Sequence, residues 1–311
     1  MEHYVTLLDN LFLPQALALH DSLETCGDNY TLWVLCLDDE THRLLTALNP
    51  PNVQLLALAQ IQTTELLRVK EERSKREYCW TVTPFAPRFV FESDSSVKRV
   101  TYVDADLWFL RSAEPIFREF ETAEKHVLIT DHAYAPEYDQ SAISGKYCVQ
   151  FLIFRRDGGE GVRKWWEERC IEWCFDRVEN GKFGDQKYLD EWPVRFGDKV
   201  QVLQNQAWAL APWNASRFPY SGGIFYHFHG LRLLDNKRVN LGEYPLPPVL
   251  VGQVYKPYVA KLKNILTMLR AVGWEAPPQQ VGIGFDRKIR SLLHGIRSQM
   301  WRFNSNQVLS Y

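Results

Sequence analysis

The chain has 311 residues, 46% of them hydrophobic, 14% aromatic and 24% charged, with a formal net charge of -2. That composition is globular; it excludes disorder, collagen-like sequence and a disulfide-dense mini-protein, and the length suits one large α/β domain with an appendage. Near-neutrality argues against a nucleic-acid binder, which would carry a basic surplus. The charge is unevenly spread. From Lys256 to Tyr311 nine basic side chains face only Glu275 and Asp286, so an acidic body carries a basic tail.

Tyr4–Leu8 reads as a buried first strand and Asp9-Asn10 as the turn that ends it. Pro14 opens a helix continued by the amphipathic Gln15–Leu23. Leu32–Leu37 is a second apolar strand, and Asp38-Asp39-Glu40 caps the helix Thr41–Leu48. Val53–Leu58, Val100–Val103, His126–Thr130 and Val149–Phe154 complete the strands. Such alternation predicts a mostly parallel sheet flanked by helices. Over Glu160–Arg177, Val162, Trp165, Trp166, Cys170 and Trp173 recur at helical spacing and read as core packing.

The Pro-rich stretch 243–258 reads as a linker between a body (1–242) and a basic, amphipathic helical tail (259–311). In that tail Phe285, Ile289, Leu292, Leu293, Ile296 and Met300 share one helix side, with Arg287, Lys288, Arg290 and Arg297 elsewhere. Such a helix can lie on an anionic membrane surface or pack on its own domain. The N-terminus lacks the basic and apolar regions of a secretory signal, and no apolar run reaches membrane-spanning length. The six cysteines complete no zinc pattern and read as free thiols. These features predict a cytoplasmic protein, with peripheral contact at the inner membrane face through the tail.

Three motifs carry chemistry. Asp104-Ala105-Asp106 ends a buried strand, where open α/β sheets bind ligands, and two carboxylates there can hold a divalent cation against a diphosphate. The aspartyl-phosphatase alternative fails, because Trp108 stands where that motif needs Thr or Val. His227-Phe228-His229-Gly230 offers an imidazole to complete the ligand set, a glycine that lets backbone approach phosphate, and Arg232 beside it. Asp185-Gln186 opens a short helix that ends at Pro193. No Gly-rich phosphate loop follows the first strand, which disfavours a sugar nucleotidyltransferase.

In this order and spacing the chain resembles the glycosyltransferases of the GT-A fold. The pattern is nearest to the retaining, glycogenin-like and bacterial galactosyltransferase-like enzymes (family 8-type), over residues 3–235. Segments such as Trp80–Phe85, Phe183–Trp192 and Ala211–Asn214 resemble bacterial proteins of surface-polysaccharide gene clusters. The resemblance implies a Rossmann-like mixed sheet and a nucleotide-diphosphate sugar donor, a UDP-sugar by analogy. It implies Mn²⁺ (or Mg²⁺) held by Asp104, Asp106 and His227, and a saccharide or lipid-linked saccharide acceptor. Thr6, Leu8, Asp9 and Asn10 match the edge that holds base and ribose. Arg88, sixteen residues before Asp104, matches the basic residue that reaches donor sugar and phosphate. Asp131 matches a sugar-contacting acid, and Gly230 the phosphate-contacting glycine. Arg232 stands one position before the family's lysine. Asp185 and Gln186 match the pair near the anomeric carbon. One departure stands out: where the family has Asn-x-Gly, this chain reads Cys148-Val149-Gln150. That departure opens a second reading, a catalytically silent nucleotide-sugar-binding or scaffold subunit of a polysaccharide assembly complex.

Overall fold

The computed structural model describes residues 1–27, 29–234, 238–277 and 307–310. The chain runs β1 (Glu2–Leu8), α1 (Leu13–Cys26), β2 (Tyr30–Cys36), α2 (Asp39–Leu48) and β3 (Val53–Ala57). After short helices come α3 (Lys75–Val82), α4 (Ala86–Ser93), β4 (Arg99–Val103) and β5 (Leu107–Phe109). Then follow β6 (Val127–Asp131), β7 (Tyr147–Arg155), α5 (Arg156–Glu172), β8 (Val200–Val202), β9 (Ala209–Leu210) and β10 (Phe225–His227). Last are β11 (Arg232–Leu233), β12 (Arg238–Asn240), α6 (Lys256–Ala271) and β13 (Val308–Ser310).

Seven strands form the central sheet in the order β3-β2-β1-β4-β7-β6-β8. It is mostly parallel; only β7 runs antiparallel to its neighbours β4 and β6. The chain winds outward from β1 to β3 and re-enters beside β1 as β4. The C-terminal ends of β1 and β4 therefore share the crevice where the winding reverses. Period-two alternation along β1 sends Tyr4 and Leu8 into one core and Val5 and Leu7 into the other. One core lies under α1, α2 and α6, the other under α3, α4 and α5.

Local signals place these elements. Pro14 sits in the first turn of α1. Asp38 caps α2 by accepting the Thr41 N–H at 2.7 Å, and its other oxygen accepts the Asn10 N–H at 2.9 Å, tying the turn after β1 to the next layer. Helix α5 differs from its sequence reading. It begins regularly only after Gly158 (φ 87°) and stops at Glu172, so Trp173 is extended and outside it. Trp173 stays buried, and its carbonyl accepts the Tyr188 hydroxyl at 2.7 Å. The apolar period continues past the helix because Trp173 is buried from an extended segment.

The C-terminal stretch is packed along much of its described length. Leu246, Leu250, Val254 and Tyr255 from the Pro-rich segment belong to the main core. In α6, Tyr258, Val259, Leu262, Ile265, Leu266 and Leu269 form its buried face against α1, and Lys261 pairs with Asp21 at 2.9 Å. A tail helical to its end is corrected at residues 308–310, which form β13 on β12; backbone pairing of Leu309 with Val239 favours a strand there. The amphipathic stretch Phe285–Met300 lies outside the described residues. Among the described residues no helix is long and apolar enough to cross a membrane.

Candidate active site

The two acidic residues and the histidine converge through strand register. Asp104 leaves the end of β4, and the turn to β5 is closed by the Leu107 N–H on the Asp104 carbonyl at 3.1 Å. β5 pairs antiparallel with β10 so that Leu107 faces His227, and the Phe228 N–H bonds the Asp106 carbonyl at 3.0 Å. His227 Nε2 thereby lies 3.0 Å from Asp106 Oδ1 and 3.6 Å from Asp104 Oδ2. One ligand atom from each of the three falls within 4.8 Å of the others. The donor set fits a divalent cation: two carboxylates and an imidazole suit Mn²⁺ or Mg²⁺, whose adjacent ligand atoms in an octahedral shell lie about 3 Å apart.

The electrostatics follow from this packing. Burial alone would lift the Asp106 carboxyl, but His227 outweighs it and holds that group at about 2. Burial raises Asp104, with His227 opposing. The His227 ring goes well above its ordinary value: burial disfavours its charge, and Asp106 more than compensates. Without a cation, His227 thus favours its charged form beside Asp106. Cys148 lies beside it, and its thiol is brought down to about 7, because His132 and His227 overcome the effect of burial.

The other expected residues take the following positions. Thr6 is buried near the end of β1, and among the described residues its hydroxyl has no partner. Leu8 is core. The Asp9 carboxyl caps the turn by accepting the Leu11 N–H at 3.0 Å; burial raises it, and Lys75 of α3 opposes that rise. Asn10 presents a buried side-chain oxygen with no partner among the described residues. Gly230 has φ +81°, a left-handed conformation that favours glycine. Arg232 donates to the Leu231 carbonyl, lies over the Phe12 ring and is close enough to Asp106 to feel its charge. Asp131 closes the turn after β6 by accepting the Ala133 N–H at 2.7 Å, with Gln206 beside it. Asp185 is buried, pushed up to about 8 by burial and then by the nearby Asp104, while its carbonyl accepts the Trp166 indole N–H at 2.8 Å. Gln186 follows it, half-buried, at the start of a short 3₁₀ helix.

On α4, Arg88 bonds Glu92 at 2.7 Å, one helical turn on, and reaches Glu167 at 3.4 Å. Its guanidinium is engaged on a helix face shared with Glu92, which the i, i+4 spacing in the sequence already encodes.

YfnF, an uncharacterized protein of Bacillus subtilis (strain 168), is 33% identical to the chain over 250 residues, covering 75% of this chain and 82% of YfnF. The chain belongs to the YfnF family. A second uncharacterized protein of that organism, YfnD, is 28% identical over 283 residues, covering 84% of this chain and 89% of its own. No protein-family profile matches the chain. Among solved structures, mouse xyloside xylosyltransferase 1 superposes with a TM-score of 0.50 at 13% identity, covering 73% of this chain and 97% of that one. The bifunctional glycosyltransferase WbbM gives 0.52 at 13% identity, over 87% of this chain and 51% of WbbM. The fold of this YfnF-family chain is the GT-A fold.

Two features escaped residue-level reading. Gln150, which the sequence marks only as a departure from the family pattern, bonds His227 Nδ1 through Oε1 at 2.9 Å. Trp213 stands edge-on to both His227 (5.4 Å) and His229 (5.4 Å), fixed by its indole N–H on the His132 carbonyl at 2.9 Å. Neither contact has a local signal, since each joins strands or loops distant in sequence.

Proposed function

We propose that the chain is a metal-dependent glycosyltransferase that moves a sugar, with retention, from a UDP-sugar to a hydroxyl of a saccharide or lipid-linked saccharide. The observation that carries this reading is the Asp104–Asp106–His227 cluster at the crevice of a GT-A sheet. A divalent cation there, Mn²⁺ or Mg²⁺, supplies charge neutralisation for the departing diphosphate.

The chain's own residues divide the remaining work. Thr6, Asp9 and Asn10 line the end of β1 with polar groups, two of which have unpartnered buried oxygens suited to a nucleoside. Gly230 lets backbone approach the phosphates, and Arg232 offsets charge that the cation leaves. Asp185 is buried and its carboxyl is pushed up by burial and by Asp104, which weakens it as a nucleophile and suits it to orient a sugar hydroxyl. Gln186 is neutral and equally unsuited to covalent attack. Both favour departure and attack on the same face of the sugar, with a leaving-phosphate oxygen taking the acceptor proton. Asp131 serves as an acceptor for sugar hydroxyls.

A panel of nucleotide sugars with Mn²⁺, read as release of nucleoside diphosphate, tests the proposal. Turnover should be abolished by EDTA and by Asp106→Ala; turnover unchanged by both would refute the metal role. Inversion at the anomeric carbon, read by NMR of the product, would refute retention. Tight donor binding without release would instead support the silent binding subunit.

A further inference from the structure

We propose that Gln150 is the positioning residue of the cation site, holding the His227 ring so that Nδ1 carries the proton and Nε2 presents its lone pair to the cation. The inference rests on the metal reading above. Antiparallel pairing of β7 with β4 matches Phe151 to Val103 and so sets Gln150 opposite Asp104. The Gln150 carbonyl accepts the Asp104 N–H at 3.0 Å, and its side-chain oxygen lies 2.9 Å from His227 Nδ1. One residue therefore orients two of the three ligands.

The tautomer follows from chemistry. Nε2 faces Asp106 and Asp104, so a ring that binds the cation does so through Nε2. Nδ1 must then be protonated and needs an acceptor, which Gln150 Oε1 supplies. An oxygen accepting the other ring N–H also raises the basicity of the ligating nitrogen. Gln150 is fully buried, yet among the described residues its amide nitrogen has no partner. An apolar residue would fill the space without leaving a donor unsatisfied, so packing alone does not account for a carboxamide here. The family pattern that the chain otherwise resembles has glycine at this position, which could fill no such role. The substitution thus adds a support to the site.

The experiment compares wild type, Gln150→Leu and Gln150→Glu. Mn²⁺ affinity is measured by titration calorimetry, and the His227 Nδ1–H resonance by NMR of the Mg²⁺-loaded chain. Unfolding in EDTA reports the fold of each variant. Gln150→Leu should weaken Mn²⁺ binding about 10–100-fold and lose the slowly exchanging Nδ1–H signal. Gln150→Glu, which keeps an acceptor oxygen, should retain both. A folded Gln150→Leu chain with wild-type Mn²⁺ affinity overturns the inference. If Gln150→Leu does not fold, Gln150→Glu decides, and loss of the Nδ1–H signal there overturns it. Wild type that binds neither Mn²⁺ nor Mg²⁺ overturns the metal reading itself, a result distinct from either.

Discussion

Asp185→Asn should stabilise the metal-free chain, by an amount that grows with pH. The carboxyl is buried and pushed up from 3.8 to about 8 by burial and by Asp104. Native Asp185 thus keeps a proton that the unfolded chain gives up above about pH 4. Where the native state binds the extra proton, stability falls as pH rises, by about 1.4 kcal/mol per pH unit, and the loss levels off near pH 8. From pH 4 to pH 7 this sets an upper bound of about 4 kcal/mol. The amide of Asn cannot ionise and escapes the penalty. The assay is urea unfolding of both chains in EDTA at pH 5, 6 and 7. The variant's advantage should widen at each step; an equal or less stable variant at pH 7, or an advantage that shrinks with rising pH, would refute the reasoning.

Arg232→Ala should weaken UDP-sugar binding by about 1.5–3 kcal/mol, roughly tenfold to a hundredfold, measured by calorimetry with Mn²⁺ present. Arg88→Ala should leave that affinity unchanged, because Glu92 and Glu167 occupy its guanidinium; a donor loss matching that of Arg232→Ala would return it to the site. Tyr258→Ala, which removes a ring stacked 3.6 Å from Phe228, should cost about 3–5 kcal/mol in chemical unfolding. It should also weaken Mn²⁺ binding, since Phe228 adjoins His227, and intact metal affinity would separate the two roles.

Strands and caps were legible because their causes are local. Apolar runs stopped by acids or turn residues mark β1, β2 and β4, and Asp38 announces α2 by the bond it later makes. The end of α5 was not legible, because burial of Trp173 continues the apolar period after the backbone has turned extended. The short strands β9 and β10 carry too few residues for a period and exist through tertiary pairing. In the site, the acidic pair could be placed by its position after a strand, whereas His227 rested on a motif. The role of Gln150 depends on how β7 meets β10, a relation that no window of neighbouring residues contains.

The strand that carries His227 has a timetable. Tyr226 and Phe228, on either side of it, face Tyr255 and Tyr258, at 5.5 Å and 3.6 Å respectively. During synthesis from the N-terminus, Asp104 and Asp106 emerge long before the imidazole, and the rings that back β10 emerge later still. A nascent chain halted before residue 255 holds both carboxylates but lacks the aromatic backing that seats their partner. On the proposed metal reading, the segment that carries Tyr255 and Tyr258 is therefore as much a requirement of the cation site as the ligands themselves, although it contributes none of them.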